Sequence, residues 1–244
     1  MPLSRLVEDP PRPAHELLAE VRATERARDD RPFVFVNMVA TADGRAAYQG
    51  RTQALGGEAD LEQLLELRAI ADAVLIGTGT LIAEGYARLV GGQERRARRK
   101  VAGLAEDPPA VLLSRRFDIP WEAGLFQASE QPVLIYTGAD AGEPPPTAAP
   151  VEVVRLADPT PAAALADLRG RGVRSLLCEG GPTLARTLVA DGLVDELFLT
   201  IAPLLTGDPS EPTILTGAAL LHPAELELVW TLRAGSELFL RYRL

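Results

Sequence analysis

Cys178-Glu179-Gly180-Gly181-Pro182-Thr183-Leu184 joins an apolar run at 175–177, which reads as a buried strand, to a helix predicted over 182–190. Two glycines at such a join let a backbone come very close to a ligand. Pro182 suits the first helical position, because its missing N–H has no intrahelical partner there. The free amides and the helix dipole favour an anion outside the strand end, and a phosphate is the usual occupant. A tight turn packed for steric reasons alone is the other reading.

A second turn of the same kind lies upstream. Ala73-Val74-Leu75-Ile76 shows no polar alternation, as expected of a strand covered on both faces, and ends in Gly77-Thr78-Gly79-Thr80. Thr80 is the expected cap of a short helix over 81–84. Two glycine-rich strand-to-helix turns strengthen the case for a phosphate-bearing ligand. The strand Phe33-Val34-Phe35-Val36-Asn37-Met38-Val39 runs into Ala40-Thr41-Ala42-Asp43-Gly44-Arg45, which puts Asp43 at a strand's carboxyl end, where ligands gather in open α/β sheets. An Asx-turn is the alternative for Asp43. Ser114-Arg115-Arg116, after the strand at 110–113, offers a hydroxyl and two guanidinium groups to a phosphate monoester, or is an ordinary exposed turn.

Between these points a helix is predicted over 58–71, with Leu61, Leu64, Leu65 and Arg68 at helical spacing. Further strands are expected at 133–136, 151–155 and 196–201, a surface loop at 138–150, and a helix from Thr160-Pro161 to Arg169. Residues 226–230 and 237–243 read as an antiparallel hairpin about Ala234-Gly235-Ser236. The βαβα order predicts an α/β fold, a mostly parallel twisted sheet with helices on both faces and a C-terminal antiparallel hairpin.

The chain of 244 residues, 47% hydrophobic, supports one domain over 32–244 behind an N-terminal extension at 1–31 whose only helix, within 15–28, is short and peripheral. One cysteine excludes an intrachain disulfide framework and makes a thiolate metal cluster implausible, which fits a reducing cytoplasm. His15 and His222 read as surface residues, and no metal site is expected. Met1-Pro2-Leu3-Ser4-Arg5 lacks an apolar signal-peptide core, and no stretch approaches the ~20 apolar residues of a membrane span. A net charge of −9 argues against a nucleic-acid partner. The exception, Arg95-Arg96-Ala97-Arg98-Arg99-Lys100, is either a solvated helical or loop segment or an electropositive rim beside an anionic ligand.

Four blocks in order, NMVATADGRA (37–46), IGTGTLIAE (76–84), LCEGGPTL (177–184) and LVDELFLTIAPLLTG (193–207), resemble the C-terminal reductase domain of the riboflavin-pathway RibD proteins, which share the dihydrofolate-reductase-like fold. The resemblance covers residues 33–244. It implies an NADPH-dependent, homodimeric reductase that turns the sugar of a ribosylaminopyrimidine 5′-phosphate into a ribityl chain. It also implies cofactor contacts at Ala40, Gly79, Thr80, Glu84, Gly180, Gly181, Pro182 and Thr183. Ser114 and Arg115 would meet the adenosine end, and Asn37, Asp43 and Glu179 would face the substrate.

Hydride transfer to a ring-opened sugar imine needs a proton near the nitrogen, and a shielded carboxylic acid can hold one at neutral pH. Asp43 is the expected acid or orienting group, with Glu179 as its electrostatic partner. One departure bears on the substrate. Where many members of the family carry Asp-Asp-Pro and then Leu-Thr-x-Arg, which helps hold the substrate phosphate, this chain has Glu84-Gly85-Tyr86-Ala87-Arg88-Leu89-Val90. Arg88, or the run from Arg95, is the expected substitute. Residues 1–31 carry no cysteine pair of a zinc deaminase. A dihydrofolate reductase of the same fold and a nucleotide-binding module without catalysis are the competing readings.

Overall fold

The structure, a computed structural model, describes residues 10–138 and 140–244. The reading of Met1 to Arg5 lies outside the described residues. A nine-stranded sheet runs through the molecule in the order β5-β4-β3-β2-β6-β1-β7-β9-β8. Its strands are β1 (Phe33–Thr41), β2 (Ala73–Ile76), β3 (Ala110–Leu113), β4 (Val133–Gly138), β5 (Val151–Leu156), β6 (Ser175–Cys178), β7 (Glu196–Ala202), β8 (Glu227–Ala234) and β9 (Glu237–Arg243). Pairing is parallel from β5 to β7, and β9 and β8 add antiparallel.

The unbroken apolar runs follow from burial on both faces. Phe33, Phe35, Val74, Ile76, Leu112 and Leu177 pack into one core with Leu67 of α2 (Glu58–Ile70), while Val34, Val36, Leu75, Val111 and Leu176 pack into a second. α5 (Pro161–Gly170) and α6 (Pro182–Ala190) cover that second face through Ala164, Leu165, Leu168, Ala185 and Leu188. The Thr160 hydroxyl accepts from Ala163 N at 3.2 Å and so caps α5. The expected sheet, helices on both faces and terminal hairpin are all present.

Three expectations need correction. The short helix after β2 starts earlier: α3 (Thr78–Glu84) has Gly77 at its N-cap, so Thr80 lies inside it and caps nothing. The basic run is neither free nor a rim. It belongs to α4 (Gln93–Val101), where Arg95 and Arg98 bond the buried Glu66 of α2 at 2.7 and 2.5 Å, and Arg96 bonds Glu106 at 3.2 Å. Arg99 is fully buried and donates to the carbonyls of Arg68, Ala71 and Ala105, closing the C-terminal end of α2. The predicted stripe of α2 does not face the core either. Leu61 is exposed, and the residues buried beneath the helix are Gln63, Glu66, Leu67 and Ala69.

α1 (Ala14–Ala19) is shorter than the charged stretch around it. Leu18, Val21 and Ala23 join the first core, and three arginines tie this segment to the start of β7. Arg31 meets Asp195 at 2.5 and 2.9 Å, Arg28 adds a bond to the same carboxylate at 2.6 Å, and Arg26 reaches the buried Glu196 at 2.7 Å. Arg241 of β9 completes Glu196 through two bonds.

Candidate active site

Two hollows adjoin at the carboxyl ends of β1, β2 and β6. The first is a cleft of about 670 Å³, within the range of small-molecule sites. Its walls include Asn37 and Met38 of β1, Asp60, Leu61, Leu64 and Arg68 of α2, Thr80 and Glu84 of α3, then Tyr86, Glu179, Gly181 and Pro182. The second, about 540 Å³, is lined by Gly77, Thr78, Gly79, Thr80, Arg115, Thr183 and Leu184 among others. Thr80, Glu84, Gly181 and Pro182 belong to both walls.

The glycine turns that border them hold each other. Gly77 N donates to Gly180 O at 2.6 Å, and a Cβ on Gly77 would lie 2.7 Å from Gly181 N. Gly180 has φ +80°, a conformation strained for any residue with a side chain, and a Cβ there would crowd Met38 Sδ at 3.1 Å. Steric packing therefore explains Gly77 and Gly180, whereas Gly79 faces open space in the second hollow. The Gly180–Gly181 peptide is cis. In α6 the first intrahelical bond runs from Ala185 N to Gly181 O, which leaves the Thr183 and Leu184 amides without helical partners beside that hollow.

Glu179 leaves β6 with its side chain almost wholly buried, and two residues of other elements fix it. Arg68 Nε donates to Oε1 at 2.6 Å and Nη2 to Oε2 at 2.7 Å, and the Tyr86 hydroxyl donates to Oε2 at 2.7 Å. The Arg68 guanidinium lies 5.3 Å from the Tyr86 ring centre. Burial alone would make Arg68 easier to deprotonate, but the Glu179 charge and its hydrogen bonds outweigh that and leave it raised. Burial, then the neighbouring carboxylate, pushes the Tyr86 phenol well above its ordinary value, so it stays protonated. A carboxylate has about four lone-pair directions. Three are used, which leaves one on Oε1.

The other predicted residues divide clearly. Asn37 lines the cleft, Gly79, Arg115 and Thr183 line the second hollow, and Thr80, Glu84, Gly181 and Pro182 line both. Arg115 is exposed and forms no ion pair among the described residues. Ala40, Ser114 and Gly180 are next to these walls in sequence but line neither. Arg88 makes two bonds to Asp107 at 2.7 and 2.6 Å and lines neither hollow.

Asp43 lies apart from both walls. It is exposed, lines neither hollow, and accepts from Thr41 Oγ1 at 2.5 Å, Gly207 N at 2.8 Å and Thr206 N at 3.2 Å. The Thr41 bond, then those from the 206–207 backbone, lower its pKa to about 2. These bonds tie the end of β1 to the loop after β7.

Arg68, Tyr86, Asp60, Gln63 and Thr200 were not singled out for the site from the sequence. Arg68 did carry a signal: it is a charge at helical spacing with Leu61 and Leu64, and that stripe is the wall of the cleft. Among the described residues no three His, Cys, Asp or Glu side chains converge to hold a metal ion, and no helix is long and apolar enough to cross a membrane.

The sequence profile of the RibD C-terminal domain family matches residues 32–240. A protein of Archaeoglobus fulgidus named 2,5-diamino-6-ribosylamino-4(3H)-pyrimidinone 5′-phosphate reductase is 30% identical over 87% of this chain and 99% of its own. Among solved structures, a pyrimidine reductase-like protein of Corynebacterium diphtheriae superposes with TM-score 0.78 at 23% identity, covering 94% of this chain and 98% of its own. A Thermotoga maritima deaminase and 5-amino-6-(5-phosphoribosylamino)uracil reductase gives TM-score 0.69 at 22% identity, over 87% of this chain and 56% of its own.

Proposed function

The chain belongs to the RibD C-terminal domain family, and on that premise we propose that it is an NADPH-dependent reductase of a pyrimidine carrying a ribosylamino 5′-phosphate, with a ribityl chain as product. The observation that carries this reading is the pair of adjoining hollows sharing Thr80, Glu84, Gly181 and Pro182, with Glu179 held rigidly in the cleft beside that shared wall.

The second hollow fits a dinucleotide. Gly79 leaves room for a close approach, the Thr183 and Leu184 amides stand ready for a pyrophosphate, and Arg115 is available to a 2′-phosphate. When bound, a reduced nicotinamide would supply the hydride, and the proton taken up by the nitrogen of the opened sugar would come from solvent water. The chain's own residues then do the positioning. Glu179 accepts one hydrogen bond from the substrate through its free lone pair, Arg68 and Tyr86 keep it from turning away, and Leu61 and Leu64 give the ring an apolar wall.

A cytoplasmic location accords with the single cysteine. A homodimer is supported by the terminal hairpin, whose edge strand β8 leaves Leu228 and Val229 exposed. The test is direct: purified protein incubated with NADPH and the ribosylaminopyrimidine phosphate yields the ribityl product by mass spectrometry. Cofactor binding without that product refutes the reading.

A further inference from the structure

At the carboxyl ends of three neighbouring strands, the sheet face beneath α2 changes from apolar to polar. Phe35 of β1, Leu177 of β6 and Phe198 of β7 pack in the first core, and two residues further along the chain from each stand Asn37, Glu179 and Thr200. α2 meets this row with polar side chains of its own. Arg68 holds Glu179 through two bonds, while Gln63 Nε2 lies 3.4 Å from Thr200 Oγ1 and 3.5 Å from Asn37 Oδ1. Gln63 and Thr200 are both buried, and a buried amide is costly unless its hydrogen bonds are made.

The row also settles which way each group faces. Burial raises the Asp60 carboxyl, whereas the Thr200 hydroxyl lowers it. A hydroxyl acts so by donating to the ionised carboxylate, which uses its one proton. Towards Gln63, Thr200 can therefore only accept, and Gln63 must turn its NH2 group to it. The second N–H of that group faces Asn37, which meets it with Oδ1. Asn37 Nδ2 is left over. It has no hydrogen-bond partner among the described residues, it is not shut off from solvent, and Asn37 lines the cleft. Val36 and Cys178 are the last paired residues of β1 and β6, and Asn37 and Glu179 follow them side by side. Both contacts of Gln63 are at the long end of hydrogen bonding, so they supply direction more than strength.

We infer that Gln63 is a positioning residue for the reaction: it holds the Asn37 amide with Oδ1 inward, so that Nδ2 donates to an oxygen of the substrate beside Glu179. This rests on the reductase reading of the same cleft. Without Gln63 the amide is free to turn, and the substrate oxygen then meets a second acceptor.

The test is a double-mutant cycle on kcat/KM for the ribosylaminopyrimidine phosphate at saturating NADPH. Gln63→Met keeps the length of the side chain and removes both N–H groups. Alone it is expected to lower kcat/KM by about tenfold, the scale of one hydrogen bond. Asn37→Ala deletes the amide to be oriented, and adding Gln63→Met to it is expected to change kcat/KM by less than about twofold. NADPH affinity retained in all four proteins is the check on folding, since neither residue lines the second hollow. Equal losses in the two backgrounds would make Gln63 a packing residue and overturn the inference, with the reductase reading left standing. No turnover by the wild-type protein overturns both. If Gln63→Met does not fold, the wild-type protein decides. With NADP+ bound, the pyrimidine phosphate is expected to shift the Asn37 side-chain amide signals in a proton–nitrogen correlation spectrum, and signals that stay in place overturn the donor role.

Discussion

Arg68 and Glu179 meet in a two-point contact, Nε to Oε1 at 2.6 Å and Nη2 to Oε2 at 2.7 Å, joining α2 to the end of β6. Their side chains are 11% and 3% exposed, so the pair is nearly dry and neither charge has water to fall back on. A third contact reaches back from the pair into the fold: the Arg68 carbonyl accepts from the buried Arg99 of α4 at 2.7 Å. The cleft wall is thus held from the core outward.

Removing one member of a buried pair strands the other charge. Arg68→Ala is therefore expected to lower unfolding free energy by about 3–5 kcal/mol, read from urea titration. Arg68→Lys keeps the charge but not the fork, and should fall between Ala and wild type. Equal stability of all three proteins would show that the contact contributes nothing.

The two hollows predict separable defects. A Cβ on Gly181 would lie 2.8 Å from Thr80 Oγ1, so Gly181→Val should weaken NADPH binding, by about tenfold or more in Kd for a misplacement at this contact. Glu179→Gln keeps the size of the side chain but leaves the Arg68 charge unpaired, so it should lower stability as well, and in the folded protein mainly lower kcat. Equal loss of cofactor affinity in the two variants would contradict the division.

Asp43 is ionised far below neutrality, its pKa lowered to about 2 by Thr41 and by the 206–207 backbone. Asp43→Asn is accordingly expected to leave the shape of the kcat pH profile unchanged, whatever it does to the amplitude. Loss of a titrating step in the variant would return Asp43 to the role of proton donor.

Asp195 links stability to pH. Burial opposes its charge, but hydrogen bonds from Arg31, Val34 N and Arg28 prevail and lower its pKa from 3.8. The sign follows: the unfolded state binds the proton first, so this stabilisation is complete above 3.8 and is lost as pH falls through the lower folded value. Thermal melts across that acid window should be flatter for Asp195→Asn than for wild type. Parallel curves would refute the linkage.

Light scattering at micromolar concentration is expected to give twice 26.1 kDa. Replacing Leu228 and Val229 by Glu should halve it if β8 forms the contact. A wild-type monomer would contradict the dimer.

Much of the architecture was legible because buried parallel strands leave a plain trace. Ala73–Ile76 and Ala110–Leu113 contain no polar residue, and each lies where its sequence placed it. The glycine turns were legible too, since close backbone approach excludes side chains. Partners distant in sequence were not. Nothing local to Glu179 points to Arg68, which lies 111 residues away, or to Tyr86. The basic run misled in part for the same reason: two of its counter-charges, Glu62 and Glu66, belong to another helix. The partners of Asp43 were likewise hidden: besides the nearby Thr41 hydroxyl, it accepts from the backbone amides of Thr206 and Gly207, more than 160 residues away.

The central claim is that hydride passes from a nicotinamide to the sugar carbon within the joined hollows. The direct measurement is a reaction with NADPH deuterated at the transferring carbon, followed by mass spectrometry and NMR of the pyrimidine product. The account predicts deuterium on the first carbon of a new ribityl chain, at a rate that falls in Glu179→Gln. An unlabelled sugar, or NADPH left unoxidised with the pyrimidine phosphate present, would contradict it.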